Sequence, residues 1–599
     1  MNTGPAMSMR DCHANAKNLE PHASKASGVL SYAILLGGVI TIGVAVYMVM
    51  VTYSSLPYAD GWIQISAVAR GGNALSLAWL WQQHNEHRLV IPKLFLAADL
   101  HLFKATQTFL LASILAIQFL HWMLLSWSMR VLGGWRGAIW RTGAGLAAFC
   151  LFCPTQVENF VWGFQVCFVL PGLFATLSFV GLLLYWTNTD ERSGERRSWK
   201  FLLLSIMAAV GATYSLSNGN LLWPLLVAAS LLLRLGLSAV LSFTIAGTIS
   251  TGLYLHRYIS PPQHGSPLSS IETPLRVLKY LAVYFGSSCV RLGAGYDIRL
   301  AALIGVVGFA FALLVLFRLP FYVRNSSAFE VLLALTLLYC LGTGFLTALG
   351  RLNFGYEQAF ASRYQTVALP FWCCLGLMVL RSAARIGGTR VPFVVAQICL
   401  LAIMVRGATL AHYPIRQAKW HGFQMHAATA ALLAGVDDLV QLQQAYPPAN
   451  YLLDVVPYMR DKRLSIFSGR GSSTLGKPLD SMFRLAPAQD CTGVLDSATT
   501  VDSVESHLRI TGWAWDNQHG QPASEIVATT NGIVTGLGAV GQQRPDITAA
   551  NLWMSSSYIG YAGYIRDLQG STPVQIYAVL SGSPPSACHF TTIESQVQR

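Results

Sequence analysis

Four polar stretches interrupt an otherwise apolar chain, and each holds residues able to do chemistry. The first runs from Asp60 and Trp62 to His84-Asn-Glu-His-Arg88. Asp60 follows the first apolar run closely. A carboxylate at that depth can take the proton of a hydroxyl attacking an electrophilic carbon, or it can cap the following helix. His84, His87 and Arg88 stand at i, i+3 and i+4, hence on one face of a helix. Such a face can bind phosphate or sugar, stabilise its loop, or ligate a divalent metal together with an acid. In the second stretch, 154–165, Glu158 is a second acid, an acceptor-binding group or the partner of an arginine. Trp162 there can stack on a sugar ring or sit in an interfacial aromatic belt. The third holds Arg351 and then Ser362-Arg-Tyr364. Arg363, Arg351 and Arg88 can hold a phosphate through two parallel hydrogen bonds or simply anchor helices at an interface. The fourth, 215–220, brings polar backbone into an apolar region, which is tolerated only beside a cavity or inside protein.

These residues need helices in lipid to position them. Of 599 residues, 53% are hydrophobic and 11% charged, with mean hydropathy +0.46; soluble proteins carry roughly 25% charged residues. Apolar runs near the ~20 residues that cross a bilayer recur along the chain. The first, 28–53, is too long for a signal-peptide core and lacks a cleavage site, so it is read as a retained helix. Further spans are expected at 108–129, 139–153, 166–187, 201–217, 219–235, 237–256, 300–317, 329–349, 363–380 and 391–411. Residues 62–83 read as an interfacial amphipathic helix anchored by Trp62, Trp79 and Trp81.

The formal charge of +13 does not mark a nucleic-acid binder, because the basic residues form no single patch. They fall in short loops: Arg130, Arg136 and Arg141; Arg192, Arg196, Arg197 and Lys200; Arg318 and Arg324; Arg381, Arg385 and Arg390. That is the distribution of cytoplasmic loops. Segment 275–290, which contains Lys279, is left out as a span because counting it would put several of these loops outside. The expectation is therefore about eleven transmembrane helices, with the tail 1–27 cytoplasmic and both 257–299 and 412–599 on the outer side.

Hydropathy falls after 411. Residues 412–480 read as an outer helical connector ending in a Gly/Ser-rich linker at 468–477, and 481–599 as an all-β sandwich with alternating apolar and polar positions. Trp513 and Trp515 share one strand face, where core packing is favoured over sugar binding. Cys491 and Cys588 are the two cysteines of this region and bracket its strands; an oxidising compartment would join them.

The set Asp60/Trp62, His84-Asn-Glu-His-Arg88, Glu158-Asn-Phe-Val-Trp-Gly-Phe-Gln165 and Ser362-Arg-Tyr364 resembles the GT-C superfamily of membrane glycosyltransferases. Aminoarabinose and protein mannosyl transferases are familiar members, and the resemblance covers about 1–412. It implies a mainly α, GT-C-like transmembrane catalytic domain at 28–411. It also implies a polyprenyl-phosphate sugar donor and a glycan, lipid or protein acceptor at the outer face of a bacterial inner membrane. Asp60 and Glu158 become the expected catalytic carboxylates. His84, Glu86, His87, Arg88, Asn159, Trp162, Gln165, Arg351, Arg363 and Tyr364 become the expected substrate-binding groups. Many superfamily members carry two adjacent acids after the first helix, whereas Ala59 and Gly61 flank a single Asp60 here; no cofactor is assigned, and a divalent cation stays open. A flippase or transporter of lipid-linked sugars, or a polysaccharide polymerase or ligase, is the alternative.

Overall fold

The computed structural model describes residues 25–71, 73–188, 198–261, 272–293, 295–325, 327–386, 390–501, 504–566 and 572–594, without the side chains of 504–506. Almost all of the expected tail 1–27, and Arg192, Arg196 and Arg197, lie outside the described residues. The chain is mostly helical. Among the described residues eight helices are long and apolar enough to cross a membrane: Lys25–Thr52, Thr108–Val131, Gly163–Thr187, Leu237–Leu255, Ile298–Arg324, Ala328–Phe354, Ser362–Arg385 and Val391–Ala434. Three of the expected eleven spans are helical but short. Gly137–Leu151 and Trp199–Thr213 have 15 residues each and Leu222–Leu232 has 11. At 1.5 Å per residue none matches a hydrocarbon layer about 30 Å thick. The expected amphipathic helix at 62–83 is also broken, into Asp60–Ala69 and Leu77–Trp81. Trp62 and Trp79 are buried in the protein and do not act as exposed anchors.

The chain divides into two compact units. The first comprises Met1–Met48, Leu80–Leu94 and Ala112–Ile415, and the second Val49–Trp79, Phe95–Leu111 and Arg416–Arg599. The expected domain 28–411 is therefore not one unit. Leu56, Trp62, Ile65 and Ala105 are buried in the same apolar cluster as Met425, Leu452 and Phe467, which ties 49–79 and 95–111 to the C-terminal part.

In the first unit small residues set the closest helix contacts, as expected where lipid gives helices no hydrophobic reason to associate. A Cβ on Gly286 would lie 1.8 Å from the Ala301 carbonyl oxygen, and one on Gly305 would lie 1.9 Å from that of Ala282. Helices Pro274–Leu292 and Ile298–Phe317 thus meet backbone to backbone. The first of them, set aside as a span, carries Tyr280, Tyr284 and Arg291. Elsewhere in this unit Glu330, 2% exposed, accepts from Arg381 Nε at 3.0 Å and Arg385 Nη2 at 2.8 Å.

The second unit ends in one nine-stranded sheet, not in a two-sheet sandwich. Its strands are β1 (Arg484–Ala486), β2 (Cys491–Val501), β3 (Val504–Asp516), β4 (Gln521–Pro522), β5 (Glu525–Thr530), β6 (Ile533–Gln542), β7 (Gly560–Ile565), β8 (Val574–Leu580) and β9 (Ser586–Ile593). The order is β1-β9-β8-β5-β6-β7-β3-β2, with β4 on β3. Among the described residues only the β1–β9 pairing is parallel. The sheet curls into a half-barrel. Ile526 and Ala528 face its own interior with Ile510, Tyr561 and Ile576, while Val527 faces the helices with Leu537 and Tyr564. Alternation on a strand supplies both faces, and the helical connector does what a second sheet would have done. Trp513 and Trp515 are buried with Met554 and Ile559. The expected linker 468–477 is folded too: it holds a short helix, Arg470–Thr474, and the Gly476 N–H donates to the Val534 oxygen at 2.8 Å.

Cys491 on β2 and Cys588 on β9 form a disulfide with their Cα atoms 6.1 Å apart. It joins β2, at one end of the strand order, to β9, next to the other end, and closes a loop of 97 residues. Replacing both cysteines by serine is expected to cost about 2–5 kcal/mol. Thermal melting of the two forms checks this, and a linked Cys491–Cys588 peptide should appear under non-reducing mass spectrometry.

Asp99, 2% exposed, accepts from the Gln107 N–H at 3.2 Å within a turn where Lys104, Ala105 and Gln107 all have positive φ. Burial pushes its carboxyl up to about 6, against the pull of the Gln107 and Phe109 N–H groups. The folded state therefore binds this proton more tightly than the unfolded state does. The resulting stabilisation is complete below the ordinary pKa near 3.8 and fades as pH rises through 6. Between pH 4 and 7 the wild type is expected to lose up to about 3 kcal/mol relative to Asp99→Asn. Parallel melts at the two pH values measure the difference.

Candidate functional site

A cavity of about 460 Å³ opens in the first unit. Its polar lining includes Glu86, His87, Tyr254, Tyr284, Arg351, Arg363 and Tyr364, and its apolar lining includes Phe168, Leu216, Leu255, Leu346 and Val367. Ser217, Asn218 and Asn220 line it as well. They belong to the 3-10 turn Ser217–Leu221 between the two short helices Trp199–Thr213 and Leu222–Leu232. The polar backbone of 215–220 thus lies beside a cavity.

His84 to His87 is not helical, so the histidines do not share a helix face. The His84 and His87 main chains exchange two hydrogen bonds of 2.8 Å around a two-residue turn. Asn85 takes φ +48° there, a conformation asparagine tolerates better than most residues. The turn aims Glu86 at the cavity. Arg351 Nη2 lies 2.6 Å from Glu86 Oε1, and His87 Nε2 lies 3.5 Å from the same oxygen. His87 Nδ1 accepts from the Ser217 N–H at 3.3 Å, which joins the turn to the 3-10 segment Ser217–Leu221.

Arg88 serves the loop. It is 4% exposed, and its guanidinium donates to the carbonyls of Tyr254, Trp81 and His256. Lys93, 1% exposed, donates to the Gln82 carbonyl at 2.7 Å. Burial, with the Arg88 charge second, lowers its ammonium pKa to about 8. Two buried cations thus fix the chain around the turn.

Glu158 and Arg363 form a second pair. Arg363 Nη1 lies 2.8 Å from Glu158 Oε1, while the Arg363 N–H and the Ser362 hydroxyl both donate to Oε2 at 2.9 Å. Burial alone would raise this carboxyl; the Arg363 charge, these hydrogen bonds and the Arg291 charge outweigh it and hold it below the usual range. Asn159 Nδ2 reaches the Ser362 and Arg363 carbonyls at 3.4 Å. Residues 158–159 and 362–363 are therefore one structure. Trp162 is buried, stacked on Phe164 at 5.7 Å, and His84 meets Phe164 edge-on at 5.2 Å. Gln165 is fully buried, and neither of its amide atoms has a protein hydrogen-bond partner.

Sequence reasoning missed Tyr254, whose hydroxyl donates to the Glu86 carbonyl at 2.9 Å. It missed Tyr284, whose ring meets Tyr364 at 5.4 Å, and Arg291, which donates to the Phe360 and Thr155 carbonyls. Two tyrosines four apart, Tyr280 and Tyr284, on an amphipathic basic segment were the available signal.

Asp60 belongs to the second unit. It begins helix Asp60–Ala69, where the N-terminal dipole favours a carboxylate. The preceding residue, Ala59, has φ +45° and ψ −122°, a strained conformation costing roughly 1–3 kcal/mol. It persists because the Ala59 N–H donates to the Ala445 oxygen at 2.8 Å and buried Trp62 anchors the helix. The Tyr446 phenol is pushed up by burial, then by Tyr451 and by the Asp60 charge, so Asp60 lies within its field.

Among the described residues no group of three or more His, Cys, Asp or Glu side chains is arranged to hold a metal ion. No protein-family model, curated protein or solved structure matches this chain.

Proposed function

We propose that the chain is a glycosyltransferase of GT-C type that moves a sugar from a polyprenyl-phosphate carrier to a glycan, lipid or protein acceptor. One observation carries this reading: a cavity among apolar helices that sets two arginines and several tyrosines beside aliphatic walls. Such a lining suits an amphiphile with an anionic head. Arg351 and Arg363, both in the cavity lining, would hold the phosphate. As the acceptor oxygen bonds to the anomeric carbon, the bond from that carbon to the phosphate oxygen breaks, and the lipid phosphate leaves under arginine stabilisation. Asp60 is the proposed base for the acceptor proton, carried on the first residue of helix Asp60–Ala69.

The same reading puts the N-terminus in the cytoplasm of a bacterium, about eleven passages through the inner membrane, and residues 412–599 in the periplasm, where the Cys491–Cys588 pair would oxidise. Alkaline phosphatase fused after Arg599 should then be active and one fused after Arg385 inactive; the reverse pattern would refute that topology. The interrupted helix pair around 217–221 also suits a flippase. Purified protein with a radiolabelled polyprenyl-phosphate sugar and envelope acceptors decides. Release of polyprenyl phosphate with a labelled acceptor supports transfer, whereas movement of intact donor across a liposome bilayer without release supports the flippase.

A further inference from the structure

We infer that Glu86 is the charge-selectivity residue of the cavity: a built-in carboxylate that competes with the ligand for Arg351 and so favours lipids bearing one phosphate over lipids bearing two. This rests on the reading that the cavity takes a lipid phosphate. Both members of the pair line the cavity, and they lie 2.6 Å apart. The other arginine there, Arg363, is already partnered by Glu158 at 2.8 Å.

The carboxylate cannot leave when a ligand arrives, because its backbone is held on every side. The His84–His87 pair closes the turn, Tyr254 donates to the Glu86 carbonyl, and Arg88 pins the carbonyls of Trp81, Tyr254 and His256. Only the side chain can turn away, and its charge stays within a few ångströms of any anion on Arg351. With Glu86 on Arg351 and Glu158 on Arg363, neither arginine presents its full charge to a ligand, and the further cation nearby, Arg291, also acts on Glu158. A sugar phosphodiester, with one charge, gains enough by taking the Arg351 fork. A diphosphate brings further negative charge toward Glu86 and is repelled in proportion.

The test measures binding of undecaprenyl monophosphate and undecaprenyl diphosphate to the full chain in nanodiscs. The wild type should prefer the monophosphate. Glu86→Gln should bind both more tightly, the monophosphate on the order of tenfold and the diphosphate by a larger factor, so that the preference shrinks or reverses. Unchanged or weaker binding by a folded Gln variant would overturn the inference, since it would make Glu86 a bystander or a direct ligand contact. Glu86→Asp keeps the charge but withdraws it from Arg351, so it should retain the preference even where the Gln variant does not fold. Loss of the preference in the Asp variant also overturns the inference. Wild-type protein that binds neither lipid removes the glycosyltransferase reading itself, and the inference with it.

Discussion

Asp60→Asn is expected to reduce single-turnover sugar transfer by about 10²–10⁴-fold, the usual cost of losing a positioned acid or base. Asparagine keeps the size of the side chain and one acceptor oxygen, so helix Asp60–Ala69 should still form behind the strained Ala59. Thermal stability should change by less than about 1 kcal/mol, because losing one favourable charge at a helix N-terminus is worth no more than that. Donor binding should be unaffected, since the arginines of the cavity belong to the other unit. Asp60→Glu should recover little, because one added methylene moves the carboxylate by about 1 Å and attack geometry is sensitive on that scale. The informative measurement is transfer at saturating donor, alongside a melt. Near wild-type transfer by a folded Asn variant would leave Asp60 a helix-end residue and make Glu86, in the cavity lining, the next carboxylate to test.

Arg363→Lys is expected to cost about 10²–10³-fold in kcat/KM, the range seen when one donor to a developing anion is lost. Charge alone does not replace this residue. One arm of the fork is committed to Glu158 at 2.8 Å while the group also lines the cavity. A lysine ammonium is a single point on a flexible stem and cannot serve both partners in fixed geometry. Glu158→Gln should show a milder version of the same defect, because Ser362 and the Arg363 N–H keep an amide oxygen to donate to while the charge orienting the guanidinium is gone. Donor affinity and single-turnover rates for the two variants separate the roles. Wild-type donor binding by Arg363→Lys would reduce Arg363 to a structural tie between 158–159 and 362–363.

What was legible in the sequence followed local rules. Long apolar runs became helices, and the alternation after residue 488 became strands. The pairing of 158–159 with 362–363 was foreshadowed only as two motifs, since nothing local says that Glu158 will meet Arg363. The turn at 84–87 was misread because i, i+3, i+4 spacing also fits a two-residue hairpin. The histidines pair across it through their main chains, and Asn85 supplies the positive φ. The half-barrel was misread because alternation of apolar and polar positions marks one buried face, whereas here Val527 and its neighbours Ile526 and Ala528 are buried on opposite faces. The cover is helical and includes Trp62 and Ile65, hundreds of residues away in the chain. Membership of 49–79 in the second unit was hidden for the same reason: hydropathy marks what is buried, not against what.

The contact of Gly286 with Ala301 and of Gly305 with Ala282 limits how this cavity can change over generations. Two helices already touching through their backbones have no slack to slide or roll, so the wall carrying Tyr284 behaves as a fixed datum. In the turn Ser217–Leu221, which also contributes to the lining, Gly219 is equally constrained, since a Cβ there would sit 2.1 Å from the Ala212 main chain. Remodelling for a bulkier or smaller ligand must therefore proceed by trimming or extending single side chains such as Phe168, Leu255 and Leu346. Specificity in this scaffold should drift in methylene-sized steps, with the helix framework left as it stands.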